Sequence, residues 1–236
     1  MTGPVIKLYL LDIEGTAAPL SLVTEQLFPY ARAHFSRFLS EYAHEDPVRT
    51  DLMLLGEENR ADTDATRPAY LSGDPLNAAL AYLLWLMDRD RKSTALKSLQ
   101  GKVWKMGFES GALRGELFPD VPRALAHWSK QARVAVYSSG SVDAQRLLFR
   151  YSSFGDLTPG ISSYFDTRTG PKTVSSSYMT IAKAMQLQSV DLLFFSDAVP
   201  ELDAARTAGC GTRLVVRPGN PSIGEDHGHT RIESFK

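Results

Sequence analysis

A single cysteine, Cys210, leaves the chain unable to form an intrachain disulfide, and a reducing, cytoplasmic setting is expected. In "AGCGTRLVV" that cysteine has no cationic neighbour to lower its pKa, so a packing role is expected over a reactive thiol. An excess of charge is missing as well. Lys and Arg number 26 against 27 Asp and Glu, a net charge of -1, which gives no electrostatic reason to expect nucleic acid or an anionic membrane as partner. Long apolar runs are absent: "AALAYLLWLM", Ala78 to Met87, falls far short of the roughly 20 residues that a membrane span needs. The opening residues "MTGPVIKLYLLD" lack the basic segment, apolar stretch and small-residue cleavage site of a secretory signal, and none is expected. What remains is an ordinary globular composition, and 236 residues can bury a full core as one domain or as one domain carrying a smaller insert.

Short aliphatic runs are what the sequence does have. "VIKLYLL" (Val5 to Leu11), "RVAVYSS" (Arg133 to Ser139), "LLFFSD" (Leu192 to Asp197) and "TRLVVRP" (Thr212 to Pro218) read as strands covered on both faces. Helical stretches, "SVDAQRLLFRY" and "VPELDAARTAG", fit between the later ones. This is the rhythm of an α/β fold with a doubly wound parallel sheet. Such sheets bind ligands beyond the carboxyl ends of their strands, so acids and serines at those ends lie on the functional edge.

Between the first and second runs strand signal is scarce, and the intervening stretch is far too long for a simple crossover. Val23, Leu27, Tyr30, Phe35, Phe38, Leu39 and Tyr42 recur at helical spacing, with Pro29 expected to kink or restart the helix. Asp74 and Pro75 read as the N-cap and first position of another helix. Leu96, Leu99, Val103 and Phe108 share a face of a third. The polar stretch Gly56 to Asp74 reads as a surface loop. An inserted helical subdomain is expected.

Four segments carry possible chemistry. Asp12 and Glu14, followed by Gly15 and Thr16, end the first strand, as a nucleophile and an acid-base partner would, or as a strand-ending turn would. "YSSGS" (Tyr137 to Ser141) offers hydroxyls and helix-start amides to a phosphate, while Ser141 also suits a helix cap. Asp197 and Glu201 are hard oxygen donors suited to Mg2+, or a cap with a dipole-favoured acid. Lys172 opens a Ser-rich helix and could offset phosphate charge, although most lone lysines face solvent. Together they supply the nucleophile, cation site and donors that phosphoryl transfer to an aspartate requires. His227 and His229 in "EDHGH" read as a solvated loop rather than a zinc site, with no cysteine or strand context.

Asp12-x-Glu14-x-Thr16, Ser138, Lys172 and Asp197 with Glu201 resemble the four-motif signature of the haloacid dehalogenase superfamily, with Glu14 where Asp is usual. "LLDIEGTAAPLSLVTEQLFPYA", "DRKSTALKSLQGKVWKMGF", "VYSSGSVDAQRLLF", "YFDTRTGPKTVSSSY" and "VVRPGN" are similar to the enolase-phosphatases, or acireductone synthases, of methionine salvage. That resemblance implies a Rossmann-like catalytic core from 1–16 and 115–236, with a helical cap at 17–114. It implies a Mg2+-dependent reaction, one ion per subunit, on a small phosphorylated diketone, 2,3-diketo-5-methylthiopentyl 1-phosphate: enolisation, then dephosphorylation to the acireductone. By position, Asp12 would be nucleophile and metal ligand. Glu14 would meet the metal through its backbone carbonyl and act as acid and base. Ser138 and Ser139 would bind substrate, Lys172 the phosphate, and Asp197 the metal. The cap would exclude water and meet the methylthio end, with Phe28, Trp104 and Phe108 as candidates, although cap packing explains each of these three better. A monomer is expected. The alternative is another phosphatase of the superfamily without enolase activity.

Overall fold

In a computed structural model of the chain the described residues are 5–70, 73–224 and 228–235. Six parallel strands form one sheet: β1 (Leu8–Leu11), β2 (Arg133–Tyr137), β3 (Ser163–Phe165), β4 (Leu192–Ser196), β5 (Gly211–Val215) and β6 (Thr230–Ile232), in the order β3-β2-β1-β4-β5-β6. The fold is the doubly wound α/β architecture expected. β1 is interior to the sheet, Leu8 aligning with Arg133 and Leu192, and Leu11 with Val136 and Phe195. Leu8, Leu10 and Leu11 are wholly buried, as a strand covered on both faces requires. Each contributes about 1.5–3 kcal/mol by leaving water.

Two strands were not legible. β3 and β6 are three residues each, and Tyr164 and Arg231 interrupt any aliphatic run. The first strand also starts later than its apolar run, since Val5 is 73% exposed.

The chain between β1 and β2 is helical. A π-helical turn, Leu22–Leu27, leads into α1 (Phe28–Tyr42), followed by α2 (Asp46–Ala61), α3 (Pro75–Asp88), α4 (Thr94–Glu109) and α5 (Val121–Trp128). Glu25–Leu113 forms one compact unit, and the remaining residues form the other. Within the helical unit, Pro29 lies just past the π-helical turn in a continuous helical run, so its missing N–H falls where the helix changes its hydrogen-bonding pattern. Asp74 caps α3 by accepting from the Asn77 amide at 3.2 Å. The start of α4 is held by Ser93, whose Oγ accepts from Leu96 N at 2.9 Å, and by Glu58, whose Oε1 accepts from Thr94 N at 3.0 Å. Leu96, Leu99, Val103 and Phe108 are buried along α4. Trp104 donates from Nε1 to Leu27 O at 2.7 Å and stacks on Phe28. Trp104 and Phe108 therefore help to build the interior of this unit.

The surface loop expected from Gly56 to Asp74 starts later than its composition indicates. Gly56 to Ala61 completes α2, because Leu55, Gly56 and Asn59 are buried and the Asn59 side chain donates to Pro68 O at 3.0 Å. Leu71 and Ser72 lie outside the described residues.

In the other unit α5 precedes β2, and α6 (Val142–Arg150), α7 (Ser175–Ala184) and α8 (Val199–Thr207) link the strands that follow. Leu10, Tyr137, Tyr178, Ile181, Phe194, Leu202 and Leu214 share its core with Cys210. Burial pushes the Cys210 thiol up to about 12, so it stays protonated and packs as a small apolar side chain.

Candidate active site

The Asp12 amide still donates to Phe195 O at 3.0 Å, so Asp12 leaves the sheet at its carboxyl edge. The chain then folds back tightly. Thr16, Ala17 and Ala18 all donate their amides to Ile13 O, at 3.1, 2.8 and 2.8 Å. Glycine suits this turn: the φ of Gly15 is +70°, and a Cβ there would lie 2.1 Å from Asp197 Oδ2. The close approach brings Asp197, just past β4, against the turn that carries Asp12 and Glu14.

Lys172 completes the cluster. Its Nζ lies 2.7 Å from Asp12 Oδ1 and 2.9 Å from Glu201 Oε2. The backbone around it is anchored to the core. The Tyr178 hydroxyl lies 2.7 Å from the Lys172 carbonyl oxygen and 3.0 Å from that of Glu201, sharing one proton between them. Tyr137 donates to Gly170 O at 2.7 Å. Asp12 Oδ1 also accepts from Ile13 N at 2.8 Å.

Ser138 is buried at the end of β2, and its Oγ lies 3.4 Å from Glu14 Oε2. Ser139, next in the chain, is exposed. Thus Asp12, Glu14, Ser138, Lys172 and Asp197 gather at one edge of the sheet. Helix α6 starts just after these serines, at Val142. Ser141 caps that helix by accepting from Ala144 N at 3.3 Å, and Asp166 Oδ2 accepts from Val142 N at 3.4 Å, so both donors are already engaged. Glu201, read either as a dipole-favoured acid or as a donor to Mg2+, is bound to Lys172.

Ser196 went unnoticed in the sequence. Its hydroxyl donates to Glu201 Oε2 at 2.9 Å and sits 3.4 Å from Asp12 Oδ2. Its place as the last residue of β4, beside Asp197, was the available signal. Asn220 was also missed: its Nδ2 donates to Gly15 O at 2.9 Å.

Negative charge is in excess here. Burial first, then the charge of Asp12, pushes the Glu14 carboxyl up to about 7, against a partial offset from Lys172. The same causes in the same order push Asp197 up to about 6 and raise Glu201. For Lys172 burial works against the ammonium, but Asp12 and Glu201 outweigh it and hold its pKa above the ordinary lysine value. A hard divalent cation would relieve this crowding, and the all-oxygen donor set suits Mg2+. Among the described residues no three His, Cys, Asp or Glu side chains form a metal cluster. Mg2+ needs only one or two carboxylates beside waters and other oxygens, so the residues present fit it.

His229, expected in a solvated loop, is instead buried. His229 places Nδ1 2.8 Å from Thr212 Oγ1 and Nε2 3.1 Å from Asp203 Oδ1, which engages both ring nitrogens. His227 lies outside the described residues. No helix among the described residues is long and apolar enough to cross a membrane.

Known proteins resemble the chain over nearly its whole length. The haloacid dehalogenase-like hydrolase family matches residues 6–209, and this superfamily is typically Mg2+-dependent. The chain is 48% identical to enolase-phosphatase E1 of Synechococcus elongatus over 98% of this chain and 96% of that protein. It is 44% identical to enolase-phosphatase E1 of Pseudomonas aeruginosa over the same shares. The crystal structure of the UTR4 protein of Saccharomyces cerevisiae superposes with a TM-score of 0.80 at 33% identity, covering 98% of this chain and 99% of that one. Through these full-length relatives, the chain belongs to the enolase-phosphatase E1 family of the haloacid dehalogenase-like hydrolases.

Proposed function

We propose that this protein enolises 2,3-diketo-5-methylthiopentyl 1-phosphate and then dephosphorylates it to the acireductone 1,2-dihydroxy-3-keto-5-methylthiopentene, as one Mg2+-dependent enzyme of methionine salvage. The observation that carries the reading is the buried pairing of Asp12 with Lys172 beside Glu14, whose carboxyl is poised near neutrality. The side chains of Asp12 and Asp197 and the Glu14 backbone carbonyl would hold one Mg2+. When bound, the ion offsets phosphate charge and polarises the neighbouring carbonyl oxygen.

Ser138 and Ser139 bind the substrate, and Lys172 meets its phosphate. In the phosphatase half, an Asp12 carboxylate oxygen attacks phosphorus. An Asp12 O–P bond forms, the ester P–O bond breaks, and the departing oxygen takes the proton held by Glu14. Glu14, now a carboxylate, removes a proton from the water that attacks the aspartyl phosphate, which releases inorganic phosphate and restores Asp12. Lys172 orients the Asp12 carboxylate through their 2.7 Å contact before the attack and offsets phosphate charge during it. In the enolase half, Glu14 is the candidate acceptor of the carbon-bound proton by position.

Glu25–Leu113 takes the part of the inserted cap by its place in the chain between β1 and β2. The working form is a monomer, and the free, buried thiol of Cys210 is in keeping with a cytoplasmic setting. Purified protein should release phosphate from a generic aryl phosphate only with Mg2+, and Asp12→Asn should abolish the release. Unchanged release from Asp12→Asn would end the reading.

A further inference from the structure

The segment after β5 reaches back to the catalytic turn at two points. Asn220 Nδ2 donates to Gly15 O at 2.9 Å, and Arg217 Nε donates to Thr16 O at 3.1 Å. The two arms are themselves linked, since Asn220 N donates to Arg217 O at 3.1 Å. Arg217 is 6% exposed. Its Nη1 donates to Asp120 Oδ2 at 2.9 Å and to Glu233 O at 3.0 Å, while Asp120 Oδ2 also accepts from Phe235 N at 2.6 Å. The guanidinium is sandwiched, its carbon 4.5 Å from the Phe118 ring centre and 4.6 Å from that of Phe235.

Stability alone does not account for this arginine. Its Nη2 is buried with no hydrogen-bond partner among the described residues, a state that costs free energy, and buried ion pairs are often replaceable by apolar residues without loss. What an apolar residue lacks is the rigid fork that reaches Thr16, Asp120 and Glu233 at once.

The turn's geometry shows what the two contacts fix. Gly15 N donates to Ala18 O at 2.8 Å. That amide shares one plane with the Glu14 carbonyl, so the bond sets the direction of the Glu14 oxygen. The next two carbonyls, of Gly15 and Thr16, are the ones held by Asn220 and Arg217. Without them the turn would keep its internal bonds, the Asp12 N to Phe195 O bond and the Phe118 N to Ala17 O bond, but lose both ties to the segment after β5.

We infer that Asn220 and Arg217 are positioning residues that clamp the Gly15 and Thr16 carbonyls and so hold the Glu14 carbonyl, and with it Asp12, in the geometry that binds Mg2+ and substrate phosphate. The inference rests on the proposed function for what the turn does. Outer-shell partners of this kind are worth about 10- to 100-fold in metal affinity or activity.

Asn220→Ala removes one hydrogen bond from a partly exposed loop and should fold normally. Mg2+ binding by calorimetry should weaken about tenfold and kcat should fall about tenfold, with the unfolding temperature near wild type. Arg217→Lys keeps the charge but loses the fork, and should shift Mg2+ affinity in the same direction. Val134→Ala, a core truncation in β2 far along the chain from the turn, should lower the unfolding temperature and leave Mg2+ affinity unchanged. Wild-type Mg2+ affinity and kcat in folded Asn220→Ala would overturn the inference, as would losses that track unfolding temperature across all three variants. A wild-type protein without Mg2+-dependent phosphate release would sink the functional reading instead, while the calorimetry would still decide the clamp.

Discussion

Lys172 and Asp12 stand 160 positions apart in sequence and 2.7 Å apart in space, with 11% and 3% of their side chains exposed. Such a pair is costly to break from one side, because the surviving charge stays buried. Lys172→Met should destabilise the protein by roughly 3–5 kcal/mol and reduce phosphate release by at least about 100-fold. The stability loss should shrink at acid pH, where Glu201, already raised by burial and by the charge of Asp12, can take up a proton. Denaturant titrations at pH 5.5 and 8 together with a phosphate assay check this, and an equal loss at both pH values would count against it.

Gly15→Ala tests the closeness of the two acidic motifs. Alanine in the left-handed region costs about 1–2 kcal/mol, and its methyl would collide with the Asp197 carboxylate. Mg2+ binding should therefore suffer far more than the modest stability loss implies. Calorimetric titration beside thermal unfolding separates the two, and intact Mg2+ affinity would refute the contact.

Protons and Mg2+ should compete. Glu14 near 7 and Asp197 near 6 have native pKa values raised above those of the unfolded chain. The metal-free native state thus keeps protons that the unfolded chain releases, so the contribution of these two groups to stability is greatest below the ordinary carboxyl range, falls as pH rises from there, and levels off above 7. Mg2+ needs the Asp197 carboxylate ionised, so its apparent affinity should drop as pH falls through 6, and it should restore stability at pH 7.5. Affinity that is flat from pH 5.5 to 7.5 would contradict this.

Tyr178→Phe isolates the anchoring of Lys172. The hydroxyl touches the Lys172 and Glu201 carbonyls, and its loss should cost about 0.5–1.5 kcal/mol. Activity should fall with stability only slightly affected. Normal kcat in this variant would mean that the Lys172 backbone needs no such tether.

Much of this was legible in the sequence because parallel strands buried on both faces announce themselves: "VIKLYLL" and "LLFFSD" end where Asp12 and Asp197 stand. Three-residue β3 and β6 cannot carry such a run. α2 was hidden by Gly56 and the polar residues after it, whose burial depends on the packing of Leu55 and Asn59. Ser196 and Asn220 escaped for a different reason. Neither residue type signals chemistry alone, and only the folded chain brings Ser196 between Asp12 and Glu201, or Asn220 to the Gly15 carbonyl.

The central claim is that one pocket performs both enolisation and phosphoryl transfer. The most direct test supplies the diketo-phosphate with Mg2+ and follows enol absorbance and inorganic phosphate in one time course. The enol signal should rise first and phosphate should follow, with phosphate release abolished in Asp12→Asn. Phosphate released with no enol signal and no acireductone product would leave a phosphatase alone and contradict the account.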